Sequence, residues 1–194
     1  DATRIFRAVR YETRLGFNIE SETEKLLGDN VSMIDTISGD RLRREIELLL
    51  SEAMPEVSLL RLANLGALEY VNPQLQADKW LQDKFEAVSS EKVTQSAKLE
   101  LMFMLLCYRL SLDDIDKLAD RLKLKSGRLK AIKDLYRLRD IHLNLIAPNL
   151  KPSSIVAMLK SFVPVAMRAL SIAEDNALLR QRLENYLNNW RYIK

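Results

Sequence analysis

Apolar residues return along this chain at intervals of three and four, and alternation with period two is nearly absent. Such spacing gives helices with one buried face, so the fold class expected is all-α. Leu42, Ile46, Leu49 and Leu50 make one such face on a helix that Ser38-Gly39-Asp40 opens and that runs through Ser51. Ser38 is its expected N-cap, and Asp40 is favoured by the helix dipole. Pro55 fits the first turn of the next helix, which carries Leu59, Leu60, Leu62 and Ala63 inward and runs to Gly66. Ser21-Glu22-Thr23-Glu24 reads as a capping box starting a short helix through Leu27, closed by Gly28. Beyond Pro73, helices are expected near Gln74–Ala87, Glu91–Leu110, Leu112–Leu122, Gly127–Ala147, Ser153–Phe162, Pro164–Ile172 and Asp175–Ile193. Their visible N-cap candidates are Ser111, Ser126, Ser153 and Asp175. No fixed period relates them, which favours an irregular multi-helix body over a solenoid.

The first helix has a second pattern superposed on its apolar one. Arg4, Arg7, Arg10 and Arg14 recur at steps of three and four and fall within an arc of roughly 120°. Gly16 is a left-handed stop for this helix, with Phe17 available to pack back on it. A stripe of guanidiniums repels itself, so an anion is expected to face it. Asp1 lies one turn before Arg4, setting an acceptor beside a donor fork, an arrangement that suits the edge of a nucleobase. The other reading is a solvated ion pair contributing about 0.2–0.5 kcal/mol.

Charge changes the picture further along. The 194 residues hold 30 Lys and Arg against 27 Asp and Glu, a net of only +3. Residues 121–151 nevertheless carry nine Lys and Arg against Asp134 and Asp140. Within them Lys130, Lys133 and Arg137 share a helix face, which makes a candidate phosphate track or, alternatively, a solvated face. The single cysteine, Cys107, sits in the apolar run Leu101–Tyr108 and reads as a buried small hydrophobe. That run is far too short for a bilayer, which takes about 20 residues, and no signal peptide is visible. A soluble, cytoplasmic protein without a membrane partner is expected. His142 is the only histidine and reads as structural or as an occasional RNA contact; no Cys–His zinc spacing, glycine-rich phosphate loop or activated nucleophile is present. No catalytic centre and no metal ligand set is recognised.

The run Asp1-Ala-Thr-Arg4-Ile-Phe-Arg7-Ala-Val-Arg10-Tyr-Glu-Thr-Arg-Leu-Gly-Phe17 strongly resembles the opening of the neck in class II tRNA nucleotidyltransferases. That family includes CCA-adding enzymes, their CC-adding and A-adding relatives, and bacterial poly(A) polymerases. Ile37-Ser38-Gly39-Asp40-Arg41-Leu42-Arg43-Arg44-Glu45 is similar to the motif that follows, and Pro55 with Leu65-Gly66-Ala67-Leu68 to the next helix and turn. The resemblance covers about residues 1–73. It implies that 1–73 is a neck of nucleotide-selecting and RNA-binding helices, and 74–194 a helical body and the start of a tail. Asp1 and Arg4 would then choose CTP and/or ATP, with Arg7 and Arg10 extending the same face toward nucleotide or tRNA. The helix after Ser38 would brace that site. The family's leading Glu would precede Asp1, and its catalytic carboxylates and Mg2+ belong to a head with no counterpart here. The chain therefore reads as part of a longer polypeptide, inactive alone and binding tRNA through Lys130, Lys133 and Arg137. A stand-alone RNA-binding module and a helical protein-interaction scaffold stay open as alternatives; oligomeric state does not follow from the sequence.

Overall fold

A computed structural model describes residues 1–192, and all regular structure among them is helical. In chain order the helices are α1 (Thr3–Leu15), α2 (Ser21–Asp29), α3 (Gly39–Leu50), α4 (Pro55–Asn64), α5 (Lys79–Ser90) and α6 (Gln95–Leu106). They continue with α7 (Leu112–Leu122), α8 (Ser126–Leu145), α9 (Pro152–Leu159), α10 (Pro164–Ala173) and α11 (Ala177–Asn188). Short 3-10 turns lie at Val31–Thr36 and Trp190–Tyr192. The last helix, expected to run to Ile193, ends at Asn188 before the 3-10 turn, and Ile193 itself lies outside the described residues.

The apolar run read from the sequence becomes the centre of the molecule. Every residue from Leu101 to Leu106 on α6 is buried, because α3, α5, α8 and α10 pack around it. A helix apolar on all sides has this one stable place in a soluble fold. On one side α1 lies against α3 and α4; on the other α10 packs on α8, α5 and α11. Cys107 is buried at the end of α6, and burial pushes its thiol up to about 12. No single helix among the described residues is long and apolar enough to cross a membrane.

Several helix starts differ from the expected ones, and at α5, α6 and α11 a side-chain cap accounts for the difference. α5 begins at Lys79 because Asp78 Oδ1 accepts the Leu81 N–H at 3.1 Å; Asn72 Oδ1 holds the preceding turn through the Gln74 N–H at 2.9 Å. Thr94 caps α6 through the Ala97 N–H, separating it from α5. Asn176, not Asp175, caps α11 at the Leu179 N–H, and Asp175 instead binds Lys84 Nζ at 2.8 Å. Pro152 opens α9 ahead of Ser153, while Ser21, Gly28 and Ser126 all lie inside helices. Ser111 caps α7 as expected. Gly16 is left-handed with φ 67°, yet Phe17 does not fold back: it is 68% exposed.

Arginines fasten α3 to α7. Arg43 Nη1 donates to the carbonyls of Leu122 and Lys123 at 2.9 and 2.6 Å, closing the C-terminal end of α7. Arg121, near that end, donates to Ile37 O and Ile34 O at 2.9 and 2.8 Å, holding the segment that leads into α3. The approach is close enough that a Cβ built on Gly39 would lie 2.5 Å from Arg121 O. Arg128 joins Glu47 on α3 to Glu100 on α6 and covers the Phe103 ring at 4.7 Å.

Candidate nucleotide and RNA-binding surfaces

α1 and α3 run side by side in the same direction, with Asp1 paired to Arg41 at one end and Arg10 to Glu52 at the other. At the leading end Asp1 Oδ1 accepts the Thr3 N–H at 3.1 Å, which orients the carboxylate along the helix start. Its Oδ2 meets Arg41 Nη2 at 2.6 Å. The two sequence motifs are thus brought together through Asp1 itself. Both partners are about half exposed, so the carboxylate keeps free lone pairs toward solvent. Arg4 and Arg7 are exposed on the same helix, and neither has a carboxylate at ion-pair distance among the described residues.

The arginine stripe is not uniform. Arg10 is buried, with Nε 3.5 Å from Glu52 Oε1, because its position faces the turn after α3. Arg14 reaches the same carboxylate at 3.9 Å and stands over the Tyr11 ring at 4.9 Å. The Arg7 guanidinium beside Tyr11, together with Arg10, holds the phenol below its ordinary value. Tyr11 and Glu52 therefore organise the trailing half of the stripe, and Asp1, Arg4 and Arg7 make up its open half. A further junction holds the trailing end of α1: Arg61 Nε binds Glu12 Oε2 at 2.9 Å and Nη1 binds Glu24 Oε1 at 2.8 Å. Glu12 Oε1 also accepts the Ile19 N–H at 2.9 Å, so the chain leaving α1 is tied to α4.

The basic segment 121–151 divides in the same way. Arg121, Arg128 and Arg139 point inward to carbonyls and carboxylates; Arg139 Nη1 donates to Tyr108 O at 2.5 Å, and His142 Nδ1 lies 2.5 Å from Arg139 O. Of the candidate track, Lys130 Nζ binds Asp134 Oδ2 at 2.6 Å and Lys133 Nζ binds Asp116 Oδ1 at 2.6 Å. Arg137 is 3.9 Å from Asp134 and largely exposed. Asp134 is 2% exposed and also accepts the Val163 N–H at 3.1 Å, so it anchors the turn before α10. The three cations do share one face of α8, each with an acidic neighbour. Among the described residues no three His, Cys, Asp or Glu side chains come together in a way that could hold a metal ion.

Residues 16–79 match the family described as "Probable RNA and SrmB-binding site of polymerase A". The chain is 44% identical over 77 residues to an A-adding tRNA nucleotidyltransferase of Geobacter sulfurreducens, a match covering 39% of this chain and 9% of that protein. Its fold is similar over its whole length to a CCA-adding enzyme solved in complex with CTP, with a TM-score of 0.75 and 21% identity, covering 48% of that chain. A Thermotoga maritima CCA-adding enzyme complexed with tRNA is similar over 96% of this chain and 47% of its own, with a TM-score of 0.71 and 21% identity. The chain thus spans about half the length of these solved structures.

Proposed function

We propose that this chain, which belongs to the family of tRNA nucleotidyltransferases and bacterial poly(A) polymerases, supplies the nucleotide-selecting helix of a longer enzyme that adds C and/or A to the tRNA 3′ end. The observation that supports this reading lies at the start of α1: an oriented Asp1 carboxylate one turn before an Arg4 that has no carboxylate partner among the described residues. An ionised Asp only accepts hydrogen bonds and Arg only donates them. Cytosine offers an amino group beside the acceptor N3, and adenine an amino group beside N1, so both satisfy the pair. Uracil and guanine set a carbonyl against Asp1 and an N–H against Arg4. Once the base and the rest of the enzyme exclude water from the pair, two such mismatches would reject the wrong base by on the order of 10⁴-fold.

The remaining residues take supporting parts. Arg41 holds the Asp1 carboxylate in place, and Arg7 extends the cationic face toward the nucleotide or the RNA end. Arg10, bound to Glu52, fixes the helix rather than touching substrate. tRNA is the proposed partner of the α8 face, where Lys130, Lys133 and Arg137 would exchange acidic neighbours for phosphates. Mg2+ is assigned to a catalytic head and would there stabilise the triphosphate; no step performed by these residues runs through it. By itself the chain is expected to bind tRNA weakly and to incorporate no nucleotide.

Nucleotide selection tests the proposal directly. Joined to a catalytic head of the family, the chain should prefer CTP and ATP, and Asp1→Ala and Arg4→Ala should each flatten that preference over UTP and GTP. Incorporation ratios left unchanged by both substitutions would refute the assignment.

A further inference from the structure

An aromatic residue interrupts the cationic stripe of α1, where Arg4, Arg7, Tyr11 and Arg14 follow one another at steps of three, four and three. Residues at these spacings meet on a helix surface, and their side chains lean toward its N-terminus, so each covers the one before it. Arg14 does this over Tyr11: its guanidinium stands 4.9 Å from the ring centre, and that of Arg10 stands 5.5 Å from it. Tyr11 does it toward Arg7, whose guanidinium lies beside the phenol oxygen.

The two ends of this series differ. At the trailing end Glu52, in the turn after α3, meets Arg10 Nε at 3.5 Å and Arg14 Nη1 at 3.9 Å, and its side chain is only 16% exposed. A carboxylate held in the packing thus places two guanidiniums, both lie against one aromatic ring, and the ring carries its hydroxyl to Arg7. At the leading end Arg7 is exposed, with no carboxylate at ion-pair distance among the described residues. A free arginine samples many rotamers, and ordering it when a ligand arrives costs binding energy; a neighbour that holds its head beforehand removes much of that cost.

We propose that Tyr11 is a positioning residue, whose hydroxyl, anchored through Arg10, Arg14 and Glu52, holds the Arg7 guanidinium along α1 toward Arg4 for a phosphate of the nucleotide or of the RNA end. Phosphate is the group that suits an unpaired guanidinium fork one turn from the base-reading pair. Tyr11 itself touches no substrate. The inference rests on the nucleotide-binding reading of α1, but not on base selection by Asp1 and Arg4.

Two measurements separate the contact from its use. In the full chain carrying isotope-labelled tyrosine, NMR follows the phenol titration. Arg7→Ala should move the Tyr11 titration upward, toward the value of about 10 of an unperturbed tyrosine. A titration that Arg7→Ala leaves in place would overturn the contact, whatever the nucleotide assays show. With the chain joined to a catalytic head, Tyr11→Phe keeps the ring against Arg10 and Arg14 and removes only the oxygen. It should raise KM for CTP and ATP, or for the RNA primer, about three- to tenfold with kcat little changed. A rise for the nucleotides assigns the phosphate to the triphosphate, and a rise for the primer assigns it to the RNA backbone. The preference for CTP and ATP over UTP and GTP should stay as it is, so a failure of base selection is told apart from a failure of this inference. Placed on Arg7→Ala, Tyr11→Phe should add nothing, because the two side chains act as one unit. Equal effects of Tyr11→Phe with and without Arg7 would overturn the proposal. So would KM values for both substrates unmoved by Tyr11→Phe in a chain with native circular dichroism.

Discussion

Gly39→Ala perturbs the joint on which the candidate nucleotide surface rests. The added Cβ would lie 2.5 Å from the Arg121 carbonyl oxygen and 2.8 Å from Lys123 Cγ, where ordinary contacts begin near 3.4 Å. The lysine can move aside, but the carbonyl is backbone at the end of α7, so α3 must retreat by most of an ångström. Overpacking of this kind costs about 1–3 kcal/mol, and an immovable backbone atom puts the cost at the upper end. The better helix propensity of Ala returns about 0.5–1 kcal/mol. The expected net loss is about 2 kcal/mol, and for a chain of this size a Tm lower by about 4–8 °C. Thermal unfolding followed by far-UV circular dichroism measures it. Gly127→Ala is the internal control, since no heavy atom lies within 4 Å of its built Cβ and α8 should be unchanged or slightly more stable. A Gly39→Ala chain as stable as the Gly127→Ala chain would refute the close-approach argument.

Asp78→Ala removes both the cap of α5 and the partner of Arg109, and should cost about 1–2 kcal/mol at neutral pH. Because Arg109 beside it holds the Asp78 carboxyl below its ordinary value, that stabilisation is complete above about pH 4 and is lost as the pH falls through the folded-state value. Urea midpoints of native and variant chains should therefore converge on acidification, and a constant gap would show that the ion pair adds nothing. For RNA, Lys130→Gln with Lys133→Gln should lower the slope of log K for tRNA against log salt by about two. A slope unchanged in the double variant would mean that Asp134 and Asp116 are the only partners these lysines have.

What the sequence disclosed depended on the range of the interaction involved. Apolar spacing placed the helices, Gly16 ended the first one, and the run Leu101–Leu106 announced the core, since each is a property of neighbours along the chain. Cap positions were legible where serine preceded an acidic first turn, as at Ser111, and were misplaced where several polar residues competed, as between Asp175 and Asn176. The identity of Asp1 and Arg4 as a candidate pair came from spacing and resemblance. That Asp1 is held by Arg41, and that Arg10 turns inward to Glu52, depends on α3 packing alongside α1, across some forty residues. The segment 121–151 read as strongly basic because, apart from Asp134, its acidic partners Glu47, Glu100 and Asp116 come from other helices. Gly39 carried no signal of its own, because the neighbour that requires glycine there lies on α7.

The reciprocal arginine contacts between α3 and α7 fix a distance as well as an orientation. Asp1 is tied to α3 through Arg41, α3 to α7 through Arg43 and Arg121, and α7 to α8 through Asp116 and Lys133. These links form an unbroken strut from one candidate surface to the other. A ligand seated along α8, as proposed, would lie at an offset from the head of α1 that this packing sets. The fold would then act as a gauge, with its two marks cut into a single piece.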